Sequence, residues 1–271
     1  MGKGLIMIMQ PPLHIEIIGN KALPKIVFLH GFLGSGRDWL PLAEMLTSHY
    51  CCVLVDLPGH GSATLSASDE HHAYFTATVE ALATVIQPIS PEPCRLVGYS
   101  MGGRIALALM LTHPELFHQA VIVSASPGLP TEEERAKRRA GDEGIARKIE
   151  RNFPDFLEAW YQQPLFSTLK NHPLFQEIER KRAINNSESL AAALRLLGTG
   201  QQPSFWDALS KCAVPTLFIA GEKDERYVAI ARQMVKLAPH ATLSIVPNCG
   251  HTLHIENKES FVEQLHTFFN Q

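Results

Sequence analysis

The sequence predicts a mostly parallel, doubly wound α/β sheet with a helical insertion in its second half. Six short runs are apolar along their length, as expected for strands covered on both faces of a parallel sheet. These runs are KIVFLH (25–30), CCVLVDL (51–57), CRLVGY (94–99), QAVIVSAS (119–126), TLFIAGE (216–222) and TLSIVPN (242–248). Stretches with a helical spacing of apolar residues lie between or after them, at 39–48, 74–88, 103–113, 227–238 and 258–270.

The alternation of strand and helix stops between about Pro127 and Ser210. This region is charged, favours helix and contains segments such as DFLEAWYQQPLF and SLAAALRLL, which are apolar enough to pack on a neighbouring surface. We therefore interpret residues 1–126 and 211–271 as an α/β core and residues 127–210 as a helical cap over one end of the sheet.

Composition and charge are those of an ordinary globular protein, with 45% hydrophobic residues, 19% charged residues and a net charge of −3. The chain has no excess of basic residues that would indicate nucleic-acid binding. The apolar run near the N-terminus is too short for a signal peptide or a membrane span. The five cysteines lack CxxC spacing, and the histidine doublet at 71–72 lacks a spaced carboxylate or cysteine partner. We expect a cytoplasmic protein with reduced thiols, no membrane partner and no metal; the sequence makes no prediction of oligomeric state.

Ser100 lies in GYSMG, between a strand-like and a helix-like run. The pattern G-x-S-x-G in this context is typical of a nucleophile on a sharp strand-to-helix turn, with its hydroxyl exposed at a helix N-terminus. A serine hydroxyl becomes reactive near neutral pH when a histidine accepts its proton and an acid orients that histidine.

Two later predicted strands are followed by an acid and by a histidine. Asp224 follows one predicted strand and His251 follows the next, so both would lie at the same edge of the sheet as Ser100. Alternatively, Asp224 caps the following helix and His251 is an incidental loop histidine. The three matching positions favour a catalytic triad, with His254 as the nearest competitor for the base.

Tetrahedral or enolate oxygens need two backbone N–H donors aimed at one point. A His-Gly turn after the first strong strand places Phe32 so that its N–H can face the N–H of Met101. We predict these two groups as the oxyanion donors and interpret His30 and His60 as structural turn residues.

The segments VFLHGFLGSGRDW, VDLPGHG, LVGYSMGGR, AGEKD and CGHTLH resemble the α/β-hydrolase superfamily over nearly the whole chain. PGLPTEEERAKRR, WYQQPLF, RAINNSESLAAAL and SMGGR are similar to the 2-succinyl-6-hydroxy-2,4-cyclohexadiene-1-carboxylate synthases of menaquinone biosynthesis. That resemblance implies a lyase that eliminates pyruvate from a small tricarboxylate substrate, with the triad as base and without a metal or organic cofactor. The substrate-contacting positions of that family fall on Tyr99, Arg104, Arg138, Trp160, Phe166 and Arg182.

Arginine suits such a substrate because guanidinium groups pair with carboxylates through two parallel hydrogen bonds. Arg104 lies one helical turn beyond Ser100 and has no acid near it in sequence. Arg135 and Arg139 flank Arg138, so the register of this helix stays open; a solvated charged helix is the other interpretation of these residues.

Other interpretations concern the aromatic residues and the reaction itself. Trp160 and Phe166 could line the cavity or pack the cap on the sheet. The same triad would also serve a serine hydrolase, such as an esterase, thioesterase or C–C hydrolase, that acts on a small carboxylated substrate. A ligand-binding receptor with the same fold is a third possibility.

Overall fold

The computed structural model describes residues 11–65 and 73–271. Seven strands in this part of the chain form one sheet in the order β1-β3-β2-β4-β5-β6-β7. The strands are β1 His14–Ile18, β2 Lys25–Leu29, β3 Cys51–Asp56, β4 Cys94–Tyr99, β5 Phe117–Val123, β6 Thr216–Gly221 and β7 Ala241–Val246. β1 pairs with β3 in the antiparallel direction, and the other neighbours are parallel. Each of the six predicted runs overlaps a strand, and the predicted fold class is confirmed.

β1 is the strand that no uninterrupted apolar run in the sequence indicated. It lies at the edge of the sheet, where Ile15 is opposite Val55 of β3, and its residues are exposed or half-buried. An edge strand with one neighbour is less covered than a central strand, so its sequence, HIEII, can include polar residues.

Eleven α-helices accompany the sheet in the described residues. They are α1 Leu40–Leu46, α2 Tyr74–Ile89, α3 Met101–Thr112, α4 Glu132–Arg151, α5 Phe153–Tyr161, α6 Ser167–Lys170, α7 Phe175–Ala183, α8 Ser187–Leu197, α9 Glu225–Leu237, α10 Leu253–Glu256 and α11 Lys258–Phe269. Short 3-10 helices add Gly36–Trp39, Pro114–Leu116, Pro164–Phe166 and Asp207–Lys211. Helices α4 to α8 lie between β5 and β6, and we call them the insertion helices; the exact cap boundaries stay an interpretation of the sequence.

The sheet is covered on both faces. One apolar cluster joins β-strand residues to α2 and α3, with Phe75 and Ile105 buried in it. The cluster on the other face joins the sheet to α1 and α11, with Trp39 and Phe261 at its centre. Burial on both faces explains why the central strands are apolar along their whole length.

The insertion helices have an apolar cluster of their own, which includes Leu190 of α8 and Leu33 from the loop after β2. Hydrogen bonds fix the same contact, since the Asn185 side-chain amide donates to the Leu33 carbonyl at 2.8 Å. The Leu65 N–H donates to the Ser189 hydroxyl at 2.7 Å. The insertion helices therefore sit over the edge at which the parallel strands end.

The chain enters and leaves the insertion at one place. The Phe205 N–H donates to the Pro127 carbonyl at 2.7 Å, and the Trp206 indole N–H donates to the Gly128 carbonyl at 3.0 Å. Phe205 follows the insertion helices in sequence and Pro127 precedes them. The two connections are thus hydrogen-bonded neighbours.

No helix among residues 11–65 and 73–271 combines the length and apolarity needed to cross a membrane. All five cysteines are buried free thiols. The N-terminal apolar run and the histidine doublet at 71–72 lie outside the described residues.

Candidate active site

Ser100 occupies a strained turn between β4 and α3. Its φ of 52° lies in the left-handed region that residues other than glycine seldom adopt. The backbone is held on both sides, because the Ser100 N–H donates to the Val123 carbonyl at 2.9 Å and the Ser100 carbonyl accepts from the Arg104 N–H at 3.0 Å. A Cβ on Gly102 would collide with the Leu29 carbonyl, so this glycine lets α3 approach β2 closely.

Ser100, His251 and Asp224 form one hydrogen-bonded chain. His251 Nε2 lies 3.0 Å from Ser100 Oγ, and His251 Nδ1 lies 2.7 Å from Asp224 Oδ2. Asp224 occupies the N-cap position of α9, but its side chain makes no cap hydrogen bond. Its carboxylate binds the imidazole instead, which argues against the capping interpretation. The structure thus brings the three predicted residues together, and their catalytic roles stay predictions.

His251, and not the competing histidine His254, is the hydrogen-bond partner of the Ser100 hydroxyl. The His254 ring packs 4.7 Å from the Trp39 ring and 4.2 Å from the Tyr99 ring, measured between centroids. Its Nδ1 is buried without a hydrogen-bond partner in the described part of the chain. Burial lowers the pKa of His254 to about 3, so this side chain is neutral near pH 7. It acts as an aromatic wall behind Tyr99, whose own pKa is raised by burial.

The N–H groups of Phe32 and Met101 lack acceptors among the described residues. Met101 opens α3, where the first N–H groups have no intrahelical partner. The Gly102 N–H donates to the His30 carbonyl at 2.9 Å, which holds the start of α3 against the loop that contains Phe32. Both residues line the cavity beside Ser100. The two N–H groups can therefore receive a ligand oxygen, and their role as oxyanion donors stays a prediction.

His30 and His60 bind backbone groups of their own loops. His30 Nε2 accepts the Leu57 N–H at 3.0 Å, which leaves Nδ1 to donate to the Gly31 carbonyl at 2.8 Å. His60 Nδ1 lies 3.0 Å from the Pro58 carbonyl oxygen. Burial lowers both pKa values, that of His60 to about 3. The contacts agree with the interpretation of both as structural turn residues.

A cavity of about 390 Å³ opens between the sheet edge and the insertion helices. Ser100 and His251 lie in its wall, together with all six positions marked by the resemblance, namely Tyr99, Arg104, Arg138, Trp160, Phe166 and Arg182. Trp160 also packs 5.5 Å from the Phe32 ring and 6.0 Å from the Phe166 ring, measured between centroids. These aromatic residues thus line the cavity and pack the insertion at the same time.

Arg104 is buried and binds neutral acceptors. Its guanidinium donates to the Leu197 carbonyl at 2.8 Å and to the Gln202 side-chain oxygen at 3.1 Å. Burial lowers the pKa of Arg104 to about 10, which still leaves it protonated near pH 7. The positive charge is therefore not cancelled by a bound carboxylate of the protein, as a site for an anionic ligand requires.

Arg182 is paired with Asp38 through two hydrogen bonds, of 2.8 Å to Oδ1 and 2.6 Å to Oδ2. Burial alone would raise the pKa of Asp38, but the charge and hydrogen bonds of Arg182 outweigh it and lower that pKa below its ordinary value. Both side chains line the cavity. Arg182 thus brings a guanidinium to the site together with an internal counter-ion.

The register of α4 places Arg138 at the cavity. Arg138 Nε donates to Asp142 Oδ1 at 2.7 Å, and Asp142 is buried. The flanking Arg135 and Arg139 both bind Glu132 near the start of the helix and do not line the cavity. The flanking arginines are half-buried and also bind the Leu129 and Gly200 carbonyls, so they are not simply solvated, and Arg138 is the one of the three that lines the cavity.

Four residues that no sequence pattern marked complete these surroundings. Asp38 and Gln202 bind arginines far away in sequence, and Arg226 and Tyr227 line the cavity from the first turn of α9. The S-x-x-D spacing from Ser35 to Asp38 predicts a helix start, and the Asp38 side chain does accept the Ser35 N–H there. The same spacing does not predict that Asp38 binds a distant arginine. Arg226 and Tyr227 lie two and three residues after Asp224, and that proximity was the available signal.

The family model of the alpha/beta hydrolase fold matches residues 24–258. The 2-succinyl-6-hydroxy-2,4-cyclohexadiene-1-carboxylate synthase of Salmonella heidelberg (strain SL476) is 33% identical over 249 residues, which cover 91% of this chain and 94% of that protein. The chloroplastic protein PHYLLO of Arabidopsis thaliana is 33% identical over 96% of this chain, but the chain spans only 16% of the length of PHYLLO.

MenH from S. aureus has a similar structure, with a TM-score of 0.89 and 31% identity over 95% of this chain and 98% of that one. The comparisons confirm the predicted fold class, the predicted resemblance and the predicted class of enzyme, a carbon–oxygen lyase. The chain belongs to the α/β-hydrolase fold family and, within it, to the family of the 2-succinyl-6-hydroxy-2,4-cyclohexadiene-1-carboxylate synthases.

Proposed function

We propose that this chain eliminates pyruvate from 2-succinyl-5-enolpyruvyl-6-hydroxy-3-cyclohexene-1-carboxylate, to give 2-succinyl-6-hydroxy-2,4-cyclohexadiene-1-carboxylate in menaquinone biosynthesis. One observation carries the proposal: Ser100 and His251, with Asp224 hydrogen-bonded behind His251, line the same cavity as Arg104, a buried cation with neutral protein partners. A base beside an uncompensated cation suits the removal of a proton from a carboxylated substrate. The name of the Salmonella relative supports the choice of product.

The base is assembled from the triad. Asp224 accepts the His251 Nδ1–H, which leaves Nε2 unprotonated and able to accept the proton of Ser100 at 3.0 Å. The Ser100 oxygen then removes the ring proton made acidic by the neighbouring succinyl ketone. In this scheme the serine acts as a base and forms no covalent bond to the substrate.

The electron pair from the broken C–H bond moves toward the ketone oxygen, where negative charge develops. The N–H groups of Phe32 and Met101 stabilise that oxygen, and one such donor is worth about 3 to 4 kcal/mol in comparable sites. When the enolate collapses, a double bond forms between ring carbons 2 and 3, the existing double bond shifts from carbons 3 and 4 to carbons 4 and 5, and the C–O bond from carbon 5 to the enolpyruvyl group breaks. The departing enolpyruvate takes up a proton and becomes pyruvate, so atoms and charge balance.

Substrate binding would use charge and apolar contact together. Arg104, Arg138 and Arg182 supply guanidinium groups for substrate carboxylates, and Arg182 retains N–H groups beyond the two that face Asp38. Trp160 supplies an apolar wall for the ring. The cavity volume of about 390 Å³ lies within the usual range for small-molecule sites.

The test is pyruvate release from the enolpyruvyl substrate, measured with lactate dehydrogenase and NADH. We expect rapid release by the native chain and almost none by Ser100→Ala. Absence of release by a folded native chain would refute the proposal. Fast turnover of aryl esters with an initial burst, and without pyruvate release, would identify a serine hydrolase instead.

A further inference from the structure

The charges around the cavity are unevenly compensated. In the described part of the chain its lining includes four arginines, namely Arg104, Arg138, Arg182 and Arg226. Arg182 is paired with Asp38, and Arg138 is paired with Asp142. Arg104 and Arg226 are therefore the two lining arginines without an acidic partner among the described residues.

Arg226 lies at the exposed rim of the site. It is the second residue of α9, directly after the segment that supplies Asp224. Its guanidinium carbon lies 5.8 Å from the centre of the Tyr227 ring, and the Tyr227 ring lies 4.8 Å from the His251 ring. The cation is thus separated from the triad histidine by a single aromatic side chain.

The stability of α9 does not explain a cation at this position. The N-terminus of a helix carries partial positive charge, so an arginine in the first turn is unfavourable there, whereas the neighbouring Glu225 is favourable. Arg226 also forms no ion pair within the described residues that would offset this cost. An interaction between the guanidinium and a ligand in the cavity would explain this position.

The positive charges of Arg104 and Arg226 both affect the pKa of the Tyr227 hydroxyl. Burial raises the pKa of Tyr227, and the positive charges of Arg226 and Arg104 both oppose that rise. Tyr227 therefore lies within electrostatic reach of the buried cation and of the exposed one. A ligand with carboxylates at two ends could meet both cations while its ring lies beside Ser100.

We propose that Arg226 is a further specificity-determining residue, which binds a second substrate carboxylate at the rim while Arg104 holds another inside. The inference rests on the proposed function, because it requires a substrate with several carboxylates. It adds a residue from α9, outside the insertion helices, to the contacts that select the substrate.

The experiment compares Arg226→Ala and Arg226→Lys with the native enzyme, using pyruvate release and thermal unfolding. Arg232→Ala is the matched control, since Arg232 is another exposed arginine of α9 that does not line the cavity. We expect Arg226→Ala to lower kcat/KM about threefold to fivefold, as for a partly solvated ion pair, mainly by raising KM. Arg226→Lys should retain most of the activity because a point charge suffices in water.

Salt provides a second measurement. Added NaCl should lower kcat/KM of the native enzyme more steeply than that of Arg226→Ala, since the lost contact is the screened one. The melting temperature of Arg226→Ala should equal or slightly exceed the native value. Native KM and salt dependence in Arg226→Ala, or an equal loss in Arg232→Ala, would overturn the inference. Failure of the native enzyme to release pyruvate would refute the proposed function as well, so the two failures are distinguishable.

Discussion

Replacement of Arg104 tests most directly whether the buried cation is a carboxylate ligand. In Arg104→Ala the bound carboxylate would remain desolvated without its partner, a change that costs about 2 to 5 kcal/mol in comparable contacts. That range corresponds to a loss of about 30-fold to 5,000-fold in kcat/KM. Arg104→Lys should recover only part of this loss, because an ammonium cannot reproduce the two-pronged geometry.

The same substitution has a structural cost that must be separated from the catalytic one. The Leu197 carbonyl and the Gln202 side-chain oxygen would lose their donor, and a buried polar group left unpaired costs about 1 to 3 kcal/mol. Thermal unfolding therefore accompanies every kinetic measurement. Arg147→Ala provides the control, because Arg147 is an exposed arginine of the insertion helices outside the cavity; its kcat/KM should stay at the native value.

The assay measures pyruvate release from the full substrate and from analogues that each lack one carboxylate. If Arg104 binds one carboxylate, the deficit of Arg104→Ala shrinks for the analogue without that group. An equal deficit for every analogue would show that Arg104 is not a carboxylate ligand. Native kinetics in Arg104→Ala with a lowered melting temperature would reduce Arg104 to a structural role.

Three further sets of substitutions test the triad, Trp160 and His254. Ser100→Ala and His251→Ala should each abolish most pyruvate release, and the double variant should lose little more; losses that multiply would contradict a single catalytic unit. Trp160→Ala should raise KM several-fold and, because its ring also packs on aromatic neighbours, lower stability by about 1 to 2 kcal/mol; lowered stability with native KM would leave it a packing role alone. His254 has a pKa of about 3 when folded against an ordinary 6.5, so its contribution to stability is present above pH 6.5 and is lost as the pH falls. Between pH 5.5 and 4.5 the native protein should lose about 1.4 kcal/mol more unfolding free energy than His254→Phe, measured by urea denaturation, and parallel pH curves would contradict this.

The elements that could be predicted from sequence are those whose residue pattern follows from burial or from strand direction. The central strands are apolar because both faces are buried, and Ser100, Asp224 and His251 could be placed because parallel strands end at one edge. β1 was missed because an edge strand is less buried. The partners of Arg104 and Arg182 could not be predicted: Asp38 meets Arg182 only in the folded chain, and such long-range side-chain pairing has no periodic signal in sequence.

Gln202 illustrates the same difficulty. It reaches Arg104 from the connection that follows α8, a segment without regular secondary structure. Neither apolar spacing nor a motif marks such a residue, because its importance comes from the buried hydrogen bond that it makes. The geometry of the candidate site was thus predictable where it depends on strand ends, and unpredictable where it depends on side chains meeting across the fold.

The hydrogen-bonded entry and exit of the insertion, at Pro127 with Phe205 and Gly128 with Trp206, have a consequence for how substrate preference can change. Because the two ends are adjacent, one contiguous segment can be exchanged for another of different length without separating the flanking strands, and the entropy of loop closure changes slowly with that length. Ser100, Asp224 and His251 all lie outside the segment. Recombination between relatives could therefore replace the wall residues Arg138, Trp160, Phe166 and Arg182 as a block while Ser100, His251 and Asp224 keep their positions. A chimera built at these two junctions would take these four wall residues from one parent, and Arg104, Arg226 and the hydrogen-bonded Ser100, His251 and Asp224 from the other.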